Sequence, residues 1–339
     1  MSSPAFAVAR RVRVDAWVLL GLALLLAVVG SLTLGSNPVA PGTVLQALLD
    51  PSTDTDAVIW GSRVPRTLLG LLVGGCLGVA GALMQGQTGN PLADPGLFGV
   101  SSGASLAVVL GAYLLGFNSM TASLFLALGG ALVASVLVFG IATLSRDLAN
   151  PVPLAIAGTA VTALLNAVIS FLVLTNASSL EAFRVWVVGS LGGRALDALP
   201  PALALALVGL VLAFANARSL NSLTLGTELA QGLGETLWRA RLVGLSAITL
   251  TTASAVALAG PIGFIGLTAP HAARALVGGN HFRLLPASGL VGAVTLLVCD
   301  TVGRVIGGGQ AEVPVGVVLA TLGGVAFIAI VRRTKLAAL

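Results

Sequence analysis

The stretch GPIGFIGLTAPHAARALVGGNHFRLLP, residues 260–286, decides how this chain is built. It opens on an apolar, glycine-bearing segment, and after that come the chain's only two histidines, His271 and His281, with Arg274 and Arg283. A short hydrophobic span between a Gly-Pro turn and a basic patch is the pattern of a helix that crosses a bilayer and surfaces on its cytoplasmic side. The sequence on either side supplies similar spans.

Composition agrees. Of 339 residues 57% are hydrophobic and 9% charged, where a water-exposed surface usually needs about 25% charge. The mean hydropathy is +1.04. These values describe an integral membrane protein. Unbroken apolar runs such as LLGLALLLAVV, residues 19–29, exclude the alternating pattern of a membrane β-barrel. Forty-three glycines point to helices packed closely through small residues. The formal charge of +5 comes from basic residues scattered in small groups beside the spans, so it reports topology and not nucleic-acid binding. Cys76 and Cys299 lie inside apolar helices and read as buried small side chains, with no disulfide or CxxC chemistry. Arg10, Arg11 and Arg13 precede an apolar core longer than that of a signal peptide, which predicts a retained first helix.

Ten spans are expected, at 17–34, 65–84, 97–117, 121–144, 152–175, 200–215, 242–260, 262–277, 287–306 and 314–331. The fold class is therefore an all-α polytopic membrane protein. Residues 1–16 are read as a cytoplasmic N-terminal segment, 17–333 as the transmembrane domain and 334–339 as a cytoplasmic tail. With the N-terminus inside, twelve of the seventeen basic residues fall on the cytoplasmic side, Arg146, Arg218, Arg239, Arg241 and Lys335 among them. Five remain outside: Arg63, Arg66, Arg184, Arg194 and Arg304. The third and eighth spans are expected to be broken or shortened, the third by its Gly/Ser-rich entry and the eighth by Pro270.

Several polar residues stand out against this apolar background. Arg63 and Arg66 share a helical face at the outer mouth of the second span, as interface cations or as an anchor for acidic groups on an external partner. Asp300 and Arg304 sit one turn apart in the ninth span, at ion-pair spacing. Glu312, two residues before Pro314, is placed to cap the tenth helix. Asn90, Pro91, Asp94 and Pro95 form a stiff inner turn, with an ion site built on Asn90 and Asp94 as the secondary-transporter alternative. His271 and His281 have neither a cysteine nor an HExxH pattern beside them, so no zinc site is expected. The longest inner connection, 216–241, is polar enough to leave the hydrocarbon and has a helix-compatible piece near Glu228, interrupted by Gly232 and Gly234. No GxxxxGK[ST] pattern occurs, so energy from ATP would have to come from another subunit.

RVPR at Arg63, NPLADPGLFGVSSGA from Asn90, LGTELAQGLG from Leu225, GPIGFIGLTAPHAAR from Gly260, HFRLLP from His281 and EVPVGVV from Glu312 occur together and in this order. In this the chain resembles the FecCD-type permeases of binding-protein-dependent ABC importers, which move ferric siderophores, haem and cobalamin. The resemblance implies a ten-helix permease subunit in a bacterial inner or plasma membrane. It works with a second, identical or homologous permease, two cytoplasmic ATPases and an external substrate-binding protein. No cofactor is expected on this chain, with ATP and Mg on the partner ATPase. The cargo implied is a metal chelate, a ferric siderophore first, with haem or cobalamin as alternatives. By resemblance, Arg63, Arg66 and Arg304 dock the binding protein. Leu225, Gly226, Glu228, Leu229, Gly232, Leu233 and Gly234 contact the ATPase, while Gly260, Pro261, Gly263, Pro270, His271, Asp300, Glu312 and Pro314 belong to structural or pathway motifs. Two departures are noted: Thr227 stands where a second acidic residue is common, and Gly193-Arg194 replaces a more polar and aromatic outer segment.

Overall fold

The structure, a computed structural model, describes residues 4–50, 57–116, 119–143, 152–193, 199–307 and 311–333. Arg146, Arg194, Lys335 and the tail lie outside them. The described elements are all helical: α1 (Pro4–Thr33), α2 (Pro41–Leu49), α3 (Val64–Thr88, entered through a π turn at Ile59–Arg63), α4 (Val100–Leu115, entered through a 3-10 turn at Pro95–Phe98), α5 (Met120–Thr143), α6 (Val152–Thr175), α7 (Ala177–Val187), α8 (Leu199–Leu223), α9 (Thr227–Gly232), α10 (Leu237–Ala259), α11 (Ile265–Val277), α12 (His281–Ile306) and α13 (Val315–Arg333).

Seven of these carry stretches long and apolar enough to cross a membrane: Asp15–Thr33, Ile59–Thr88, Thr121–Ala142, Val152–Thr175, Leu199–Leu223, Leu237–Ala259 and His281–Ile306. The other three expected spans fall on the shorter α4, α11 and α13. Two boundaries move for identifiable reasons. Asn280 accepts a hydrogen bond from Phe282 N at 3.0 Å and starts α12 ahead of Pro286, earlier than the expected residue 287. The expected connection 216–241 shrinks to 224–236, because α8 continues to Leu223 and α10 begins at Leu237. Polar residues in those helical ends find partners inside the protein, Ser219 and Ser222 on Glu235 and Asn221 on His281.

Helices α3 and α10 form the centre: 78% and 72% of their most apolar windows are buried, against 28% for α1, α6 and α8. The outer helices turn rows of apolar side chains outward, such as Val18, Leu19, Leu22, Leu25 and Leu26 on α1. Such faces suit acyl chains or another apolar protein surface.

The centre is closed by a seam of small residues. A Cβ on Gly74 would lie 2.5 Å from the Gly292 carbonyl oxygen, one on Gly78 2.1 Å from Ser288 O, and one on Gly81 2.0 Å from Gly266 O. Glycines at 74, 78 and 81 recur on one face of α3, so α12 and the start of α11 approach it backbone to backbone.

The eighth span is shortened as expected, but the break falls ahead of Pro270 and not at it. α10 ends at Ala259, whose carbonyl accepts from Ser190 N at 2.8 Å, and residues 260–264 run unwound into the thirteen-residue α11, which contains Pro270. Phe264, with φ at +69°, is the non-glycine residue in the left-handed region among those described. Just beyond it, Pro270 has no N–H for the Gly266 carbonyl, and Gln85 Nε2 lies 3.4 and 3.3 Å from Gly266 O and Leu267 O.

Gly78→Leu is expected to destabilise the protein by about 3 kcal/mol, because the obstacle is backbone and cannot rotate away. Gly21→Ala, with nothing within 4 Å of the added carbon, is expected to be neutral. Thermal unfolding of both variants in detergent checks the contrast.

Candidate functional site

At the end expected to face outward, α3 with its entering turn and α12 deliver three arginines to one cluster beside the end of α1. Arg63, Arg66 and Arg304, expected as outward cations, are instead buried at 5%, 6% and 4% exposure. Burial so near apolar surroundings requires partners, and each has them. Arg66 grips Asp300 with Nε at 3.0 and 2.9 Å from its two oxygens and Nη2 at 2.9 Å from one, and its Nη1 reaches Glu312. Arg304 stands 3.2 Å from Asp300 as the expected i,i+4 ion pair. Its aligned hydrogen bonds go to Ser31 O at 3.0 Å, Ser31 Oγ at 3.1 Å and Thr301 Oγ1 at 3.1 Å. Arg63 donates to the carbonyls of Leu32 and Asn37, where α1 ends. Ser31 Oγ also meets Thr67 Oγ1 at 2.8 Å.

Asp300 is fully buried, whereas the Glu312 side chain is 44% exposed. The Glu312 carboxylate, placed by the sequence as a cap for α13, is engaged by Arg66. The cluster therefore has a closed floor, Asp300, and one lip open to solvent. Gly192 borders it: a Cβ there would stand 3.0 Å from Arg66 Nη1.

At the opposite end, expected to face the cytoplasm, the short helix read from the sequence is present as α9. Gly226, with φ at +100°, makes the turn that admits it, and Gly234, at +87°, the turn that leaves it. Leu225, Leu229 and Leu233 are 57%, 62% and 67% exposed while Ala230 is buried beneath them. Glu235, which the sequence did not single out, anchors the loop by accepting from Ser219 Oγ at 2.9 Å and Ser222 Oγ at 3.3 Å. Asn221 Oδ1 accepts from the backbone N of His281 at 2.8 Å and stands 3.0 Å from its Nδ1, joining the end of α8 to the start of α12. His271 and His281 form no metal group, and no cluster of three His, Cys, Asp or Glu side chains occurs among the described residues.

Between the two ends, Asn90 and Asp94 make the expected turns: Asn90 Oδ1 accepts from Leu92 N at 2.9 Å and Asp94 Oδ1 from Gly96 N at 2.8 Å. Asp94, Pro95, Pro261 and Gly263 line one cavity of about 200 Å³ at the helix break. Burial pushes the Asp94 carboxyl above the ordinary carboxylate range, with the Gly96 N–H acting in the opposite direction.

α6 carries a polar stripe inside its apolar span. Thr159, Asn166 and Ser170 fall within one narrow face of α6 and are exposed in the single chain. Polar groups on a membrane helix face protein or water in preference to lipid. The signal was helical periodicity of polar residues inside an apolar span.

Comparison with known proteins follows the same lines. Residues 23–333 match the FecCD transport family. The chain is 43% identical to the ferric enterobactin transport system permease protein of Escherichia coli (strain K12), over 98% of each chain. It is 39% identical to the hemin transport system permease protein of Yersinia pestis, over 95% of this chain and 98% of the relative. Among solved structures, an inward-facing metal-chelate type ABC transporter superposes with a TM-score of 0.80 at 29% identity, covering 93% of this chain and 97% of the other. The chain thus belongs to the FecCD transport family, as a multi-pass membrane permease of the ABC importer type.

Proposed function

We propose that this chain is the membrane subunit through which a ferric siderophore moves inward, driven by ATP hydrolysis on separate subunits. The observation that carries the cargo is the 43% identity with a ferric enterobactin permease along nearly the full length of both chains. Haem is the second reading, on 39% identity to a hemin permease over a similar length.

Energy coupling is assigned to residues 224–236. Three leucines held outward, Leu229 on the short helix with Leu225 before it and Leu233 after it, make an apolar contact on a base braced by the buried Ala230 and by Glu235, which ties the loop back to α8. Apolar contacts at the centre of such an interface outweigh a rim charge like Glu228. A second permease would face the polar stripe of α6 across a shared pathway, where hydroxyls and an amide offer weak, exchangeable hydrogen bonds to a polar chelate.

The external binding protein is assigned to the outer cluster. Arg66 lies directly under the half-exposed Glu312, so an incoming carboxylate can exchange with Glu312 while Asp300 stays in place. Arg63 and Arg304 hold the end of α1 and transmit that exchange to it.

Reconstituted into vesicles with its permease partner, ATPases and binding protein, the chain is expected to support ATP-dependent uptake of a labelled catecholate siderophore, with haem competing weakly or not at all. Uptake by this chain alone on an ion gradient would overturn the assignment. In the same assay Leu229→Asp is expected to lower ATPase co-purification and uptake about tenfold, the equivalent of roughly 1.4 kcal/mol. Glu228→Gln is expected to cost less than about fivefold, as exposed ion pairs contribute about 1 kcal/mol at most.

At the outer cluster, Asp300→Asn leaves buried guanidinium groups without their principal counter-charge. It is expected to cost about 3 kcal/mol of stability, while Glu312→Gln costs under about 1 kcal/mol because that carboxylate is half in solvent. Thermal unfolding of the two purified variants reads the difference.

A further inference from the structure

The short helix α2, Pro41–Leu49, stands beside the arginine cluster without belonging to it. Nine residues make about 14 Å at 1.5 Å per residue, under half of the roughly 30 Å of a bilayer core, so α2 is too short to cross. At about 100° per residue its side chains fall into three sectors, each about a third of a turn wide. Val44, Ala47 and Leu48 turn inward and pack with Leu32, Val39 and Ile59. Leu45 and Leu49, one turn apart, are 58% and 77% exposed. Thr43, Gln46 and the capping Asp50 make up the third sector, which is polar and exposed.

The depth of α2 follows from what it packs on. Leu32 lies one residue before the end of the Asp15–Thr33 span, and Ile59 is the first residue of the Ile59–Thr88 span. The inward sector therefore rests where two membrane spans end. Two ties keep it there. Trp60 Nε1 donates to Ala47 O at 2.9 Å, and Arg63 donates to the carbonyls of Leu32 and Asn37, fixing the chain that leads into α2.

With its N–H engaged by α2, Trp60 leaves a half-exposed ring at a span end, the level at which tryptophans gather in membrane proteins. Leu34 and Val58 are half-exposed at the same level. Along the chain they continue the outward apolar row of α1, which runs through Leu25, Leu26 and Val29.

Charge separates the possible occupants of this face. A partner assigned to the arginine cluster brings carboxylates, whereas residues 34–49 contain no Asp, Glu, Lys or Arg. Large uncharged apolar side chains with a polar sector beside them match the boundary between acyl chains and headgroups.

We infer that α2 lies in the plane of the membrane interface, with Leu45 and Leu49 among the acyl chains of one leaflet and Thr43, Gln46 and Asp50 toward water. Lying there, it holds the end of α1, to which Arg63 and Arg304 are bonded, at a fixed depth. The inference needs neither the cargo nor the docking assignment, and its test involves no transport.

The test is spin labelling of the full-length permease in phosphatidylcholine nanodiscs, in Thr43→Cys, Leu45→Cys, Gln46→Cys and Leu49→Cys separately. Oxygen serves as the apolar relaxant and a nickel chelate as the water-soluble one. Cys76 and Cys299 are buried, so the unmodified protein supplies the labelling background. Labels at 45 and 49 are expected to meet oxygen in preference to nickel, at a depth of about 5 to 10 Å below the headgroups. Labels at 43 and 46 are expected to show the reverse preference. Where a variant fails gel filtration, the contrast between Gln46→Cys and Leu49→Cys, both exposed positions, decides. Nickel preference at all four positions would leave the face in water, free for a docking protein, and would overturn the inference. So would little contact with either relaxant at 45 and 49, the sign of cover by protein such as a second copy of the chain.

Discussion

The contact between α3 and α12 carries the rest of the structure. In a bilayer the lipid tails are as apolar as the helices, so helices gain little by merely hiding hydrophobic surface from them. What remains is close packing, and the glycines at 74, 78 and 292 bring the two backbones together. A seam of small residues is nearly smooth and would not by itself fix how far one helix slides along the other. The Arg66–Asp300 pair at one end of it does so. Three directional hydrogen bonds between a planar fork and a carboxylate tolerate little displacement.

The same helix reaches the other face of the protein. α12 is 26 residues long, roughly 39 Å at 1.5 Å per residue. Its first residue, His281, is joined to Asn221 next to the 224–236 loop, and its last turns hold Asp300 and Arg304. One element thus links the end that carries the loop assigned to the ATPase with the cluster assigned to the binding protein. Beyond Pro286, which has no N–H to give the Phe282 carbonyl, each turn of α12 is hydrogen-bonded to the next and resists bending, so movement at one end of that stretch is felt at the other as displacement of a body.

The helix break at 260–264 departs from this rigidity. On either side of it the helix ends are held by protein: Ser190, in the turn that follows α7, donates to the Ala259 carbonyl, and Gln85 of α3 donates to the carbonyls of Gly266 and Leu267. Here the protein accepts a left-handed Phe264 and a cavity, features that a uniform bundle would have eliminated.

Composition and period determined a great deal unaided. The membrane class, the approximate number and place of the spans, the Asp300–Arg304 spacing, the turns at Asn90 and Asp94 and the short helix near Glu228 all follow from local relations, within about a helical turn or one apolar run. Such relations are written in consecutive residues. The motif order added the family, which no local rule contains. Tertiary structure alone decided that Arg66 answers Asp300, 234 positions away, that the three arginines turn inward, and that Asp94 and Gly263 share a cavity. A charge near a span end reads equally well as an interface cation or as half of a buried pair. Which one it becomes depends on what the neighbouring helix places opposite it, and that is set by how closely glycines let the helices meet.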